Sequence, residues 1–344
     1  GIVGLDIGSS YIKAVQLNET RSGYELALFD SLPISPELIV EGSIIDAIRV
    51  TESLRELVRK ARIKANDAVI AISGHSSVII KRISLPEMSE EELGESIKFE
   101  AEQYVPFDIE DVNLDFQILG PKEEPGQMDV ILVAVKKEVI NDYVSVVKEA
   151  GLNTVIVDVD AFALENMYGI NYEVEAGRNV ALVNIGASTI NMNILKGGVS
   201  VFTRDSSVGS NIHTDALQKE FGISFEEAER LKRGEPVEKV KPEDAYSLIT
   251  NASSDIFGEV ARSVDYFRSS TLQSEVKEVI LSGGCALIRG FPGELSDKIG
   301  IPVRVAEPFR NVTIPKKFDS VYIEETAPIA AIAVGLATRR PGDR

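Results

Sequence analysis

The sequence predicts an α/β chain built of two related halves. Three observations carry this. Gly-Leu-Asp-Ile-Gly-Ser-Ser at residues 4–10 is an apolar strand running into a tight polar turn. Val-Asn-Ile-Gly-Ala-Ser-Thr at 183–189 repeats the pattern in mid-chain, and Ile-Leu-Ser-Gly-Gly-Cys at 280–285 adds a third Gly-rich turn after a further apolar strand. β-Branched residues favour the pleated strand, and glycine lets the backbone approach a ligand. Successive N–H groups and hydroxyls in such turns cradle phosphate oxygens. The first two turns each lead into a second short strand, at 11–17 and 190–195, so both are β-hairpins and not strand-to-helix phosphate loops.

The elements follow in order. Residues 1–80 read as three strands, a helix and a strand. Asp46 caps the helix, whose apolar stripe is Val50, Leu54, Leu57, Val58 and Ala61. Residues 81–155 read as an inserted unit. Ser89 and Glu92 form a capping box ahead of Leu93, Ile97 and Ala101, with Pro106 ending that helix. Strands near 114–119 and 130–135, separated by a polar turn at 121–126, and a helix over 138–150 complete the unit. Residues 172–178 are polar and read as the crossover into the second half. Residues 211–275 are helical and charged, including a helix over 254–270 with a core stripe of Ile256, Val260, Val264 and Phe267. The small, apolar run at 326–336 reads as a closing helix between the halves.

Composition narrows the class. A chain of 344 residues is long enough for two cores, and 44% apolar with 26% charged residues is ordinary for a globular protein. The net charge of −18 argues against nucleic acid and anionic lipid, which need a basic surface. A single Cys285 permits no internal disulfide and fits a reducing compartment. Only His75 and His213 are present, and no cluster has zinc-ligand spacing. No stretch reads as the roughly 20 apolar residues of a membrane span, and no signal peptide is visible. These features point to a cytoplasmic protein that meets a membrane only through a partner.

The three turns resemble the phosphate-1, phosphate-2 and adenosine motifs of the actin/Hsp70/sugar-kinase ATPase superfamily. A closer resemblance, covering essentially the whole chain, is to the PilM family of type IV pilus assembly proteins, relatives of the division protein FtsA. It is carried by Leu85-Pro86, the run from Phe99 through Tyr104-Val105-Pro106-Phe107, Asp158-Val159-Asp160, Phe202-Thr203-Arg204-Asp205, and Leu281-Ser282-Gly283-Gly284 through Gly290-Phe291. The resemblance implies an actin-like ATPase fold of two related domains with an FtsA-type 1C inserted subdomain. Its subdomains would be 1A at 1–80, 156–176 and 322–344, 1C at 81–155, 2A at 177–210 and 276–321, and 2B at 211–275.

It also implies ATP with magnesium. Gly8, Ser9, Ser10, Gly186, Ala187, Ser188, Thr189, Gly283, Gly284 and Cys285 would form the three turns, with Lys13 reaching a terminal phosphate as a point charge. Asp6 would support magnesium through water, because magnesium prefers carboxylate and water oxygens. Glu229 and Lys232 sit at i, i+3; in an arbitrary helix they are a solvated ion pair, whereas the resemblance makes them ribose and adenine contacts. Hydrolytic relatives carry an aspartate where Asn184 stands, so turnover is expected to be slow. Asp158 and Asp160, near the crossing, could substitute or serve as hinge and capping carboxylates.

The implied partner is the N-terminal cytoplasmic segment of PilN, with other inner-membrane pilus proteins as further candidates. Its groove would lie between the first and inserted subdomains, lined by Tyr104 and Phe107, with Phe99 and Val105 either lining it or in the core. The implied location is cytoplasmic, peripheral at the inner membrane through that partner. Two other classes stay open: an FtsA-like division filament protein, against which the lack of an amphipathic helix over 337–344 counts, and a small-molecule kinase, for which no substrate carboxylate base is legible.

Overall fold

The computed structural model describes residues 1–270 and 275–343; residues 271–274, within the expected 211–275 unit, and residue 344 lie outside them. In the first half, β1 (Ile2–Ile7), β2 (Tyr11–Thr20) and β3 (Gly23–Pro33) form an antiparallel meander. A ribbon of β4 (Ile39–Val40) and β5 (Ser43–Ile44) precedes α1 (Ala47–Lys60) and β6 (Asp67–Ile72). Asp46 caps α1 by accepting the Arg49 N–H at 3.0 Å, and Val50, Leu54 and Leu57 are buried beneath it.

The inserted unit comprises β7 (Val78–Pro86), α2 (Glu90–Ala101), β8 (Val112–Pro121) and β9 (Gln127–Lys136), with sheet order β7-β9-β8. The Ser89/Glu92 capping box forms as its sequence dictates. The helix ends at Ala101, short of Pro106: the Tyr104 and Val105 N–H groups both turn back to the Ala101 carbonyl. The insertion is also shorter than 81–155. α3 (Lys137–Glu149) buries Val139, Tyr143, Val146 and Val147 in the core shared with α1. β10 (Asn153–Val159) then pairs in parallel with β6 in the first sheet.

α4 (Asp160–Asn171) leads into the second half: β11 (Asn179–Ile185), β12 (Ile190–Lys196), β13 (Val199–Ser206), α5 (Asn211–Phe221), α6 (Phe225–Lys232) and α7 (Pro242–Ser270). There follow β14 (Glu278–Ser282), α8 (Phe291–Ile299) and β15 (Val303–Val305). The chain re-enters the first sheet earlier than residue 322, because β16 (Val312–Thr313) pairs with β3. Among the described residues, helices α5 to α7 share one core with the second sheet.

The two large sheets have orders β10-β6-β1-β2-β3-β16 and β13-β12-β11-β14-β15. Period-2 alternation sorts their side chains: Val3, Leu5, Ala68 and Ile70 face α1 and α3, whereas Val15, Val69 and Ala71 face the opposite side. That opposite side meets α4 and a closing segment of α9 (Ser320–Thr326) and α10 (Ala331–Ala337). Val180, Leu182 and Ile280 of the second sheet bury into the same cluster, so α4 and α10 form one layer between both sheets.

Glycine makes that layer close-packed. A methyl on Gly335 would lie 1.7 Å from the Ala163 carbonyl oxygen, and one on Gly4 would lie 2.5 Å from that of Ala333. The closing segment departs from expectation in two ways. It is broken by a tight turn at Ala327–Ala330 around Pro328, which has no N–H to give. Its 18 residues, Ser320–Ala337, are also long and apolar enough to cross a membrane by length and composition, although 56% of them are buried within the fold.

Candidate functional site

A cavity of about 340 Å³ lies between the halves. The two hairpins face each other across it, with Ser9 Oγ 2.9 Å from Ser188 Oγ. Both turns close alike: Gly8 N–H donates to the Tyr11 carbonyl at 3.0 Å, and Gly186 N–H to that of Thr189 at 2.9 Å. The cavity brings together Asp6, Gly8, Ser9, Ser10, Lys13, Gly186, Ala187, Ser188, Thr189, Glu229, Lys232, Gly283 and Gly284. Gly283 has φ +88°, and a methyl there would lie 2.2 Å from the Ile185 carbonyl oxygen; Gly284 faces open space.

Cys285 is the exception among the expected ligands. It is buried in the second half's core and does not line the cavity, and burial pushes its thiol up to about 12. One residue beyond Gly284, the tight turn has rotated the side chain inward.

The Glu229–Lys232 pair, 2.7 Å apart, is not a solvated surface pair. The Lys232 side chain is 8% exposed and also donates to Thr214 Oγ1 at 3.0 Å and Ser210 Oγ at 3.2 Å. Thr214 donates in turn to Glu229 Oε1 at 2.6 Å. Both long side chains are therefore held at the cavity wall by a network, which fixes their polar ends without a ligand.

Electrostatics differ between the two hairpins. On the first, Lys13 Nζ pairs with Asp6 Oδ2 at 2.9 Å. On the second, Asn184 gives its amide to Asn191 Oδ1 at 3.2 Å and accepts from Ser282 Oγ at 3.1 Å, so both of its polar atoms are engaged. Asn191 continues to Asp205 Oδ1 at 3.0 Å, and Asp205 Oδ2 accepts the Gly74 N–H from the other half at 3.0 Å. Ser207 and His75 make a second contact across the same gap at 2.9 Å.

Asp158 and Asp160 separate. Asp160 lines the cavity, and burial, aided by the negative charges of Asp6 and Asp205, pushes its carboxyl up to about 8. Asp158 faces the other way. It lines a groove of about 1140 Å³ formed by β8 and β9 of the insert, β10, α4 and the edge of the second sheet. Phe116, Ile118, Ile131, Val133 and Phe162 give this groove apolar walls, while Asp158, Glu165, Asn166 and Arg339 line it with polar groups. Burial raises both carboxyls, that of Glu165 to about 7.

Tyr104 and Phe107 do not line this groove. They pack against the insert's own core, with Lys136 Nζ 4.6 Å from the centre of the Phe107 ring. Val105 is buried in that core, whereas Phe99 is 76% exposed on α2. Tyr104, Val105 and Phe107 therefore close one end of the insert's core while Phe99 stands outside it; the sequence signal did not distinguish packing from contact. Sequence reasoning also passed over Asn191, Ser210 and Arg233, which line the cavity, and gave no site role to Asp205, which bridges the two halves beside it. Their shared signal is position: each sits within a residue or so of a turn or helix end facing the cleft.

Paired sheets of this topology, sharing a helix layer beneath a cleft, define an actin-like fold. EutJ from Carboxydothermus hydrogenoformans has it at 18% identity, with a TM-score of 0.57 over 97% of this chain and 88% of that one. MreB 5 of Spiroplasma citri, solved with AMPPNP, has it at 15% identity, with a TM-score of 0.51 over 97% and 94%. The sequence profile described as type IV pilus assembly protein PilM matches residues 4–341, and the chain belongs to that family. A solved PilM–PilN type IV pilus biogenesis complex contains a chain 29% identical to this one, with a TM-score of 0.87 and 99% of both chains covered.

Proposed function

We propose that this protein is an ATP-binding scaffold of the type IV pilus inner-membrane platform that captures the N-terminal cytoplasmic tail of PilN. Family membership supports the pilus role, and the similar complex contains PilN. The observation that carries the reading is the presence of two built cavities, the cleft between the halves and the groove beside the insert.

In the cleft, the hairpin N–H groups and hydroxyls around Gly8 to Ser10 and Gly186 to Thr189 hold phosphates, with Lys13 exchanging Asp6 for a terminal phosphate. Glu229 and Lys232 take the ribose and adenine, above the Gly283-Gly284 turn. Magnesium fits this site. Asp6 and Asp160 crowd like charge there, yet no group of three or more His, Cys, Asp or Glu among the described residues is arranged to hold a metal by itself. Asp6 and Asp160 would hold it through water beside the phosphates, where it would neutralise phosphate charge. Asn184 is a neutral amide with both polar atoms hydrogen-bonded, so it accepts no proton from water; the nucleotide acts mainly as a structural ligand and its hydrolysis is slow.

In the groove, an extended tail finds apolar walls and the outer strand β8, the combination peptide grooves use. The protein thereby sits at the inner membrane through PilN. Calorimetry with Mg-ATP and with a synthetic PilN tail peptide tests both halves of the reading. Gly284→Leu should abolish ATP binding while leaving peptide binding intact. Phe116→Ala should weaken the peptide by about 1–3 kcal/mol and leave ATP unaffected. A wild-type protein that binds neither ligand ends this assignment.

A further inference from the structure

Two kinds of contact hold the halves together. Beneath the cleft, one cluster of buried apolar side chains takes members from both, Val69 and Ala71 from the first and Leu182 and Ile280 from the second. No other such cluster among the described residues joins the two. Beside the phosphate turns the halves meet through hydrogen bonds instead. Asp205 Oδ2 accepts the Gly74 N–H at 3.0 Å, and Ser207 Oγ lies 2.9 Å from His75 Nδ1. Buried apolar surface resists parting, whereas a hydrogen bond that water can replace contributes little net free energy and can break and re-form.

Each side of this contact is fixed on its own half. In the first half, Gly74 has φ +119°, and a methyl there would lie 3.1 Å from the Glu41 carbonyl oxygen. A methyl on Gly42 would lie 2.5 Å from the Ser73 carbonyl oxygen, and Tyr143 donates its hydroxyl to the Gly42 carbonyl at 3.0 Å. The β4–β5 ribbon and α3 thus clamp the turn that offers the Gly74 N–H. In the second half, Asp205 Oδ1 accepts from Asn191, and the next residue, Ser206, donates to Glu259 of α7 at 2.7 Å. The break therefore falls between the halves. Ser73, Gly42 and Asn191 line the cavity, so parting there widens it directly.

We propose that Asp205 and Ser207 latch onto Gly74 and His75 to hold the cleft closed over its nucleotide, and that unlatching sets the rate at which nucleotide leaves. This rests on the reading that the cleft takes ATP. The test is stopped-flow release of a fluorescent ATP analogue with magnesium from the full chain, chased with excess ATP. Asp205→Asn keeps the side-chain volume but turns an amide donor toward Gly74 or Asn191, and release should speed up by about tenfold. His75 and Ser207 are exposed, so His75→Ala and Ser207→Ala keep the fold. Each should speed release by about threefold, and the double variant by no more than either alone, because both remove one bond. The reverse experiment locks the latch. Cys285 is the single cysteine and is fully buried, so a short bismaleimide reacts only at the pair made by His75→Cys and Ser207→Cys. Cross-linked after loading, that protein should release nucleotide about tenfold more slowly than before cross-linking. Release at the wild-type rate in Asp205→Asn and in His75→Ala, or a rate unmoved by the cross-link, overturns the latch while leaving the nucleotide site standing. Failure of the analogue to bind wild type overturns the underlying reading and the latch with it.

Discussion

The first and second halves build the same hairpin with different chemistry at one cross-strand pair. β1 and β2 place Asp6 opposite Lys13; β11 and β12 place Asn184 opposite Asn191, at the same distance from the turn. The first pair is ionic, and in the proposed reading it exchanges partners when a phosphate arrives. The second is a pair of neutral amides tied into a fixed chain from Ser282 to Gly74. One backbone pattern thus provides a responsive wall and a rigid wall, and the difference lies wholly in side-chain charge.

The largest expected effect comes from breaking the responsive wall. Lys13→Met leaves Asp6, which is 9% exposed, without its cation. Removing one member of a buried pair costs several kcal/mol, so a loss of about 2–4 kcal/mol is expected by urea denaturation, with nucleotide affinity falling in parallel. Lys13→Arg should recover most of the stability.

Acid–base behaviour should follow Asp160, which begins α4 and feels the charges of Asp6 on the first wall and Asp205 on the second. Asp160 carries a raised folded pKa, about 8, against an unfolded value of about 3.9. Its contribution to stability is therefore complete below the unfolded value and is lost as pH rises through about 8. Melting temperatures recorded from pH 5 to 9 should decline in wild type and decline less in Asp160→Asn.

Asn184→Asp tests the rigid wall. The carboxylate has no amide to donate to Asn191, leaving that carbonyl unpaired, and a cost of about 1–3 kcal/mol is expected in the same denaturation assay. If ATP hydrolysis accelerates in this variant, the missing carboxylate is what limits turnover; no acceleration assigns the limit to another missing group.

Smaller effects sharpen the comparison. Ser188→Ala removes one neutral hydrogen bond between the walls and should cost about 0.5–1.5 kcal/mol. A methyl on Gly8 would lie 3.1 Å from the Tyr11 carbonyl oxygen and 3.4 Å from Lys13 Nζ, whereas one on Gly186 meets only the Thr189 oxygen at 3.4 Å. Gly8→Ala should therefore be the costlier of the two by about 0.5–1 kcal/mol, read as a difference in denaturation midpoints.

What was legible in the sequence was mainly what is local. The Asp46 cap, the Ser89/Glu92 capping box and the three Gly-rich turns follow from short-range hydrogen bonding and backbone sterics, and each appears where its residues stand. Nine of the cleft residues, Gly8 to Ser10, Gly186 to Thr189 and Gly283-Gly284, were legible because turns expose backbone in a fixed way, whereas Asp6 and Lys13 on strands and Glu229 and Lys232 on a helix were legible only through the resemblance. Cys285 was misread because a tight turn after Gly284 sets side-chain direction, which spacing alone does not give. The run around Tyr104 shows a related limit: an aromatic side chain packs equally well into its own core or against a partner, and the sequence does not separate the two.

By itself the sequence determined the α/β class, the paired hairpins, the family resemblance and the neutral residue at Asn184. Only the tertiary structure decided which cavity each buried carboxylate lines. Asp158 and Asp160 differ by two positions, yet one faces the groove and the other the cleft. Strand alternation would have put them on the same side, but the chain passes from β10 into α4 between them, at Val159, and the helical turn redirects the second side chain.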